Sequence, residues 1–406
     1  MSTTSLPHKP RVTRRVMAAQ PSASMALEAK IGEMRAAGVP VISFGAGEPD
    51  FPTPDAIKLN GHEAIDTNLT KYTPAGGTIA LRKAIGARMK ADTGFDYATS
   101  QIVVTNGGKE AIYLAMQALI EAGDEVIIPA PYWVSYPEMV RLADGVPVVI
   151  PTTAADNFRV TPEMLRAHST PRTRMFVLVS PSNPTGMVYS RRELEAIADW
   201  MRGNDALLLT DELYDRIVFE GEYARWLNVA PDLKDRTIVI NGLSKSVAMT
   251  GWRIGFAAAR EEYIKAMGKV QGHSTSHPSS ISQHAALKAY TANLDAEIAK
   301  MVVAFRSRRD WIVDALNEMP GVSCLKPEGA FYVFPELTGL YGKKLKYGGP
   351  FNSSAELAMY ALETVKVGII HGEAFGAPGY ARMSYALALD KIQEGVARLA
   401  DAFSPA

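Results

Sequence analysis

Residues 102–119 read IVVTNGGKEAIYLAMQAL, and they contain the two patterns from which the fold follows. Ile102–Thr105 is a short β-branched run, which predicts a buried strand. After Asn106 and two glycines, apolar residues recur at helical spacing over 108–121, which predicts a helix packed against that strand. A strand that turns tightly into a helix is the first half of a βαβ unit.

The same alternation of strand and helix patterns continues to about residue 260. Further strands are predicted near 125–129, 146–150, 175–180, 206–210, 237–240 and 253–259, and helices near 132–143, 161–168 and 190–202. Alternation at this spacing predicts an α/β fold, with a mostly parallel seven-stranded sheet flanked by helices. Such a sheet binds ligands beyond the carboxyl ends of its strands, so we expect the functional residues there.

The remaining segments predict a smaller α+β domain built from both ends of the chain. A helix over 23–38, with Ser22 or Ser24 as its cap, is followed by a strand over 41–44. A long helix is predicted from about 280 to 317, then two more helices and strands at Phe331–Phe334, Val367–Ile370 and Ala381–Ser384. We therefore expect residues 1–50 to pack with a small domain of residues 301–406, beside a large domain of residues 51–300.

The composition is that of a globular chain with a small-molecule partner. The 406 residues are 47% hydrophobic and 21% charged, and 43 basic residues balance 43 acidic ones. Neither nucleic acid nor a membrane is therefore an expected partner. No apolar stretch is long enough to span a bilayer. The single cysteine, Cys324, suits a reducing compartment, so a cytoplasmic location is expected.

The segment from Asn241 to Gly255, NGLSKSVAMTGWRIG, places a lysine just after a predicted buried strand and an arginine eight residues later. A lysine that forms a Schiff base must be partly desolvated so that its amine can be neutral. The planar guanidinium of Arg253 suits a phosphate. Taken alone, Lys245 would be interpreted as an ordinary solvated lysine, so the other motifs decide the matter.

Three further motifs end predicted strands. Asp211 closes a hydrophobic run, where a carboxylate needs either a cationic partner, such as a protonated pyridine nitrogen, or a role as a helix cap. Asn183 begins an Asn-Pro-Thr-Gly turn whose Asn183–Pro184 bond we predict to be cis. Gly107 and Gly108 would leave backbone N–H groups free to hold a phosphate at a helix start, unless they form only a tight turn.

With Ala46–Phe51, Lys71–Gly76 and Pro131–Tyr136, these motifs resemble the class I aminotransferases of pyridoxal-phosphate fold type I. The sequence is especially similar to the bacterial aspartate aminotransferase subgroup. The similarity runs from about Arg14 almost to the C terminus, and its motifs follow the order of the family. The cofactor implied by the resemblance is pyridoxal 5'-phosphate.

The resemblance also implies roles for individual residues at the cofactor ring. Lys245 would bind the cofactor covalently and shuttle the proton between the substrate α-carbon and the cofactor. Asp211 would pair with the ring nitrogen and keep it protonated. Tyr214 and Asn183 would hydrogen-bond the phenolic oxygen, and Trp133 would stack on the ring face and border the substrate.

At the phosphate, the resemblance implies that Gly107, Gly108 and Arg253 bind the oxygens. Tyr72 would reach the phosphate of the neighbouring subunit, so a homodimer with shared active sites is expected. Gly242 departs from the pattern, because many relatives carry a phosphate-binding serine there. The phosphate would then depend more on Arg253 and the glycine amides.

For the substrate, the resemblance implies that Arg382 clamps the α-carboxylate, aided by Asn183 and the Gly47 backbone. Lys109 and Ser24 match positions that bind the distal carboxylate of a dicarboxylic substrate.

These matches favour transfer of the amino group from aspartate to 2-oxoglutarate by a ping-pong mechanism. The alternatives are an aminotransferase for aromatic amino acids, prephenate or another amino acid, and a pyridoxal-phosphate-dependent lyase. A non-catalytic cofactor-binding regulator is the least favoured. Gln20 stands where prephenate-accepting relatives tend to carry a basic residue, which weakens the prephenate alternative.

Overall fold

The computed structural model describes residues 12–406. The strands in this range are β1 (Ile42–Ser43), β2 (Ile102–Asn106), β3 (Glu125–Ala130), β4 (Val146–Pro151), β5 (Thr173–Val179), β6 (Leu207–Asp211), β7 (Thr237–Gly242), β8 (Ile254–Ala258), β9 (Tyr332–Val333), β10 (Val367–Gly368), β11 (Ile370–His371) and β12 (Ala381–Ser384).

The α-helices in the same range are α1 (Arg14–Ala18), α2 (Ala23–Ala36), α3 (Asp55–Asp66), α4 (Ile79–Thr93), α5 (Gly108–Leu119), α6 (Ser135–Leu142), α7 (Pro162–His168), α8 (Arg191–Arg202), α9 (Trp226–Val229), α10 (Glu261–Gly272), α11 (Ser280–Thr291), α12 (Asp295–Asn317), α13 (Ser354–Val365) and α14 (Leu389–Phe403). Among residues 12–406, no helix is both long enough and apolar enough to cross a membrane.

Strands β2 to β8 form a seven-stranded sheet in the order β2-β8-β7-β6-β5-β3-β4. The strands from β7 to β4 are parallel, whereas β8 runs antiparallel to both of its neighbours, β2 and β7. The mostly parallel seven-stranded sheet predicted from the sequence is therefore confirmed. The carboxyl ends of β5, β6 and β7 lie side by side, which brings the segments that follow them to one edge.

Successive residues of the central strands face opposite layers, as expected of a sheet that is covered on both sides. Val104, Phe176 and Leu208 pack on one face with side chains of α8 and α11. Val103 and Leu209 pack on the other face with side chains of α5 and α6. All five are buried, so the sheet separates two hydrophobic layers, one between each of its faces and the helices that cover it.

The beginning and the end of the described chain pack together. Strand β1 pairs in parallel with β10, with Ile42 opposite Val367, and β11, β12 and β9 form a separate antiparallel sheet. Phe44 packs in one buried cluster with Phe305 of α12 and Leu399 of α14. The segment before the large sheet is therefore held by residues that follow it by more than two hundred positions in the sequence.

Two of the predicted elements differ in the structure. The helix predicted from about 280 to 317 is two helices, α11 and α12, and the side chain of Asn293 accepts a hydrogen bond from the Asp295 N–H at the break (3.0 Å). The strand predicted over Val367–Ile370 is divided into β10 and β11, because its two parts pair with different strands. Ser22 precedes α2, but its side chain makes no capping hydrogen bond.

Candidate active site

A cavity of about 320 Å³ opens at the carboxyl ends of β5, β6 and β7. This is the edge of the sheet at which the sequence predicts the functional residues. The cavity wall includes eight of the predicted site residues, namely Ser24, Gly47, Trp133, Asn183, Asp211, Tyr214, Lys245 and Arg382. They come from both ends of the chain and from the large sheet between them.

Lys245 lies three residues beyond the end of β7 and is half-buried. Its Nζ donates a hydrogen bond to the carbonyl oxygen of Gly47, and it lies 6.0 Å from the centre of the Tyr214 ring. Burial, followed by the positive charge of Arg382, lowers the pKa of the Lys245 amine to about 8. At pH 7, about a tenth of this amine is therefore neutral and able to act as a nucleophile or a base, and the fraction rises to about half at pH 8.

Asp211 is the last residue of β6, and its carboxylate is buried. The phenol of Tyr136 donates to Asp211 Oδ2 at 2.6 Å, and the Leu213 N–H donates to Oδ1 at 3.1 Å. Burial raises the pKa of Asp211, and these hydrogen bonds act in the opposite direction. A cation placed in the cavity would relieve the cost of keeping this carboxylate charged.

Tyr214 follows Asp211 by three residues and is also buried. Its hydroxyl is hydrogen-bonded to the hydroxyl of Tyr332 at 2.7 Å. Burial, followed by the neighbouring Tyr332, raises the pKa of Tyr214 well above its ordinary value, so the phenol stays protonated. The Asn183–Pro184 bond is cis, as predicted. The turn that contains it brings Asn183 to the same cavity.

Arg382 lies on β12 and is 3% exposed. Its Nη1 donates to Asn183 Oδ1 at 3.0 Å, and its Nη2 donates to the Gly45 carbonyl oxygen at 2.7 Å. Its Nε is buried without a hydrogen-bond partner, and no carboxylate in residues 12–406 forms an ion pair with this guanidinium. Burial lowers the pKa of Arg382. A buried cation without an anion is arranged to receive one from a ligand.

The paired glycines at the start of α5 allow Arg253 to lie across the helix terminus. Gly107 has a φ of +79°, and a Cβ there would lie 2.5 Å from Arg253 Nη2. The Gly107 N–H already donates to the Thr105 carbonyl oxygen, at 2.8 Å. First-turn amides of a helix have no acceptor within it, so Gly108 can donate to an anion here. Arg253 already donates from Nη1 to the Thr250 carbonyl oxygen and from Nη2 to the Asn106 carbonyl oxygen, and each Nη has a second N–H that can bind a ligand.

The strand end next to this terminus accounts for the glycine at position 242. A Cβ on Gly242 would lie 2.9 Å from both the Gly255 Cα and the Ile254 carbonyl oxygen. These distances are shorter than normal van der Waals contact, so β7 and β8 approach each other too closely for a serine. A serine at position 242 would therefore require the ends of β7 and β8 to move apart.

Lys109 follows Gly108 on α5, and the residue as a whole is exposed although its amine is partly buried. Its Nζ lies 4.9 Å from the centre of the Trp133 ring, which lines the cavity. Burial of the amine, followed by the charge of Arg253, lowers the pKa of Lys109. Ser24, in the first turn of α2, reaches the cavity wall from the other side. Ser24 therefore lines the cavity, whereas Lys109 lies beside the Trp133 ring and is not one of the lining residues.

Gly107, Gly108, Lys109 and Arg253 lie at or beside the start of α5 without lining the cavity, and Tyr72 also lies outside it. Its side chain is 94% exposed and packs edge-on against the ring of His277, with the ring centres 5.6 Å apart. It does not line the cavity. An aromatic side chain with so much of its surface free is available to a second molecule.

A buried network of charges lies behind the wall that carries Asp211 and Lys245. Arg225 forms ion pairs with Glu212, at 2.8 Å, and with Asp215, at 2.7 Å. Asp215 also accepts a hydrogen bond from the Asn241 amide nitrogen at 3.1 Å. Burial raises the pKa of Glu212 to about 7. The network joins the segment after β6 to the end of β7, so it fixes the two strand ends relative to each other.

Three residues of the cavity have contacts that the sequence did not reveal. Tyr136 belongs to a recognised motif, but nothing in the sequence indicates that it donates to a residue 75 positions away. Tyr332 lies on a short strand that predicts only core packing, yet its ring centre is 4.6 Å from the Arg382 guanidinium. Glu28 resembles any exposed acid of an amphipathic helix. Only the tertiary fold places these side chains at the site.

The description of the protein-family model that matches this chain is "Aminotransferase class I and II", and the match covers residues 39–399. The chain is 46% identical to an aspartate aminotransferase of Streptomyces avermitilis, over 100% of both sequences. It is 43% identical to an aspartate/prephenate aminotransferase of Nitrosomonas europaea, over 97% of this chain and 100% of that one.

Solved structures give the same result. The crystal structure of the aspartate aminotransferase from Rhizobium meliloti superimposes with a TM-score of 0.93 at 40% identity, covering 97% of this chain and 99% of that one. An aspartate aminotransferase from Thermus thermophilus with maleate gives a TM-score of 0.91 at 38% identity, covering 97% of this chain and 100% of that one.

Proposed function

Because this chain belongs to the class I and II aminotransferases, we propose that it uses pyridoxal 5'-phosphate to move the amino group of aspartate to 2-oxoglutarate, giving oxaloacetate and glutamate. It is an enzyme whose substrates are amino acids and 2-oxo acids. The observation that carries the proposal is the lysine amine with a pKa of about 8, in a cavity that also contains a buried carboxylate and a buried, unpaired guanidinium.

The residues of the cavity fit this cofactor. When bound, pyridoxal phosphate supplies an aldehyde for an amine and a protonated ring that withdraws electrons. Lys245 provides the partly neutral amine, and Asp211 provides the anion for the ring nitrogen, already oriented by Tyr136. Trp133 borders the space as a flat apolar surface, and Asn183 and Tyr214 offer hydrogen bonds to the phenolic oxygen.

The phosphate would be held at the start of α5. Gly108 contributes a first-turn amide and Arg253 contributes its guanidinium, with Gly107 supplying the space that the arginine needs. The exposed Tyr72 would donate to the phosphate bound by the partner subunit, and we propose a homodimer for that reason. Such a dimer would also cover apolar side chains near Tyr72, including Leu69 and Ile79.

Arg382 is the proposed anchor for the substrate α-carboxylate. Its Nε has no partner, and its two Nη atoms are held by Asn183 and the Gly45 carbonyl oxygen, so the guanidinium is already oriented. Little side-chain entropy remains to be lost when a carboxylate binds. The backbone at Gly47 would assist from the facing wall.

Lys245 is the proposed proton carrier. With a pKa of about 8, its Nζ can take a proton from the substrate α-carbon and return one to the cofactor side. The Gly47 carbonyl oxygen accepts a hydrogen bond from this Nζ and so positions it. The reaction has two halves: oxaloacetate leaves in the first, and 2-oxoglutarate receives the amino group in the second. This order is a ping-pong mechanism.

Aspartate is the proposed donor because Lys109 offers a cation and Ser24 offers a hydroxyl beside the cavity. Relatives that are named aspartate aminotransferases and are 42–46% identical over at least 96% of this chain support this choice. Other relatives are named as aspartate/prephenate aminotransferases, so prephenate is the second candidate substrate.

We also propose that the chain is divided into two domains. Residues 1–50 pack with residues 301–406 in the small domain, and residues 51–300 form the large domain. The proposed location of the protein is the cytoplasm.

The test combines a covalent label with a spectral titration. Protein saturated with pyridoxal phosphate is reduced with borohydride and digested, and the label is expected on Lys245. The unreduced protein is then titrated with aspartate, glutamate, phenylalanine and alanine, and aspartate should convert the absorbance of the aldehyde form at the lowest concentration. A label on another lysine would refute the cofactor site, and a stronger response to phenylalanine would refute the substrate.

A further inference from the structure

Helix α2 contributes a charged side chain to the cavity wall. Ser24, Met25 and Glu28 of this helix line the cavity, and Glu28 follows Ser24 by one helical turn on the same face. Ser43 donates a hydrogen bond to Glu28 Oε1 at 2.6 Å, which fixes the carboxylate against the wall. The mechanism proposed above gives this carboxylate no role.

The carboxylate of Glu28 lies close to the proposed anchor for the substrate. A Cβ on Gly45 would lie 2.8 Å from Glu28 Oε1, and the carbonyl oxygen of Gly45 accepts the hydrogen bond from Arg382 Nη2. Glu28 nevertheless forms no ion pair, within 4.0 Å, with Arg382 or with any other cation in residues 12–406. It is therefore a fixed negative charge on the wall of an anion-binding cavity, with no cation in contact to neutralise it.

We propose that Glu28 is a specificity-determining residue that weakens the binding of dicarboxylic substrates relative to monocarboxylic ones. This inference rests on the proposed function, because it assumes that Arg382 receives the α-carboxylate. A dicarboxylic substrate anchored there brings a second negative charge into the cavity, whereas a monocarboxylic substrate does not. Lys109 and Ser24 attract that second carboxylate and Glu28 repels it, so the enzyme accepts a broader range of amino acids than Lys109 alone would allow.

The size of the effect follows from the distance between the charges. The cavity is small, so the second carboxylate comes within roughly 10 Å of Glu28. At an effective dielectric constant between that of a protein surface and that of water, such a pair changes an equilibrium constant by about five- to tenfold. The expected effect is therefore large enough to measure and small enough to leave dicarboxylic substrates active.

The experiment measures binding to the enzyme loaded with pyridoxal phosphate by calorimetry, with two unreactive acids. Succinate carries two carboxylates and butyrate carries one. Glu28 lies near Arg382 and so acts on the anchored carboxylate of both acids; in Glu28→Gln, the Kd of succinate should therefore fall about five- to tenfold more than the Kd of butyrate. Glutamine keeps the shape of glutamate and can still accept the hydrogen bond from Ser43. Equal changes for both acids, or no change, would overturn the proposal.

Two controls separate charge from structure. Glu33→Gln makes the same change on an exposed part of α2 and should leave both Kd values unchanged. Ser43→Ala keeps the Glu28 charge but removes its hydrogen bond, so it should not reproduce the selective effect on succinate. If Ser43→Ala improved succinate binding as much as Glu28→Gln does, Glu28 would act only through local structure and the proposal would fail.

Kinetics connect the binding result with turnover. The ratio of kcat/KM for aspartate to kcat/KM for 2-aminobutyrate should rise about five- to tenfold in Glu28→Gln. If no amino acid reacts with the native enzyme, the proposed function fails, whereas the comparison of succinate with butyrate can still be read. A second outcome is that the native enzyme transfers amino groups while Glu28→Gln changes neither the succinate-to-butyrate ratio of Kd nor the aspartate-to-2-aminobutyrate ratio of kcat/KM. In that case only the role of Glu28 fails.

Discussion

Replacing Lys245 by methionine should stabilise the cofactor-free protein at pH 7 while it abolishes amino transfer. The lysine amine has a pKa of about 8 in the folded protein instead of its ordinary 10.5. That difference means that the folded site disfavours the protonated amine by ~3 kcal/mol relative to the unfolded chain. The hydrogen bond from Nζ to Gly47 offsets ~1 kcal/mol of any gain, so the variant should be more stable by ~1–2 kcal/mol.

The gain should depend on pH in a defined direction. Below about pH 8 the amine is protonated in both states, so the penalty on the folded state is fully present. Between about pH 8 and 10.5 the folded protein releases the proton while the unfolded chain keeps it, and stability rises with pH. The advantage of Lys245→Met should therefore be greatest at pH 7 and should vanish near pH 10.5.

Urea unfolding at pH 7, 8.5 and 10 measures the stability difference between Lys245→Met and the native protein, because the free energy of unfolding is obtained at each pH from the same linear extrapolation. The exposed Lys83, on α4, provides the matched control, since Lys83→Met also replaces a charge by an apolar side chain. The reasoning would be refuted by a Lys245→Met variant that is no more stable than the native protein at pH 7. A gain of the same size at pH 10 would refute it equally.

Two further substitutions test the surroundings of the strand ends. Tyr136→Phe removes a hydrogen-bond donor that lowers the pKa of Asp211, so kcat should fall roughly tenfold. The acid limb of the pH profile of kcat should move to higher pH. An unchanged acid limb would contradict this role of Tyr136. Arg225→Leu leaves two buried carboxylates without their cation and should cost ~3–5 kcal/mol of stability at pH 8. The loss should be smaller at pH 6, where Glu212, with a pKa of about 7, takes up a proton; equal losses in urea unfolding at both pH values would argue against the network.

The sequence predicts the central sheet well because its signals are local. Each strand from β2 to β8 is a short apolar or β-branched run, and the helices between them carry apolar residues at helical spacing. The residues that end these strands, such as Asp211, can be located in the same way. Their meeting at one edge follows from the geometry of parallel strands and requires no knowledge of distant contacts.

The contacts that complete the cavity could not be predicted in this way. Tyr136 and Asp211 are 75 residues apart, and their hydrogen bond depends on how α6 packs against the sheet. Glu28 reaches the wall only because α2 is held beside β1. The break between α11 and α12 also escapes a periodicity argument, since apolar spacing continues through it while the Asn293 side chain accepts a hydrogen bond from the first N–H of α12.

The hydrogen bond from Arg382 to the Gly45 carbonyl oxygen joins residues separated by 337 positions. During synthesis, β6, which ends at Asp211, and the segment after β7 that contains Lys245 leave the ribosome long before β12 does. A contact that closes so long a loop is among the last to form, because its entropic cost is offset only when the surrounding structure is in place. A nascent chain can therefore build the lysine-bearing part of the cavity before it can bind a carboxylate, so it acquires the capacity to hold an amino acid only after Arg382 has been synthesised and β12 has joined the fold.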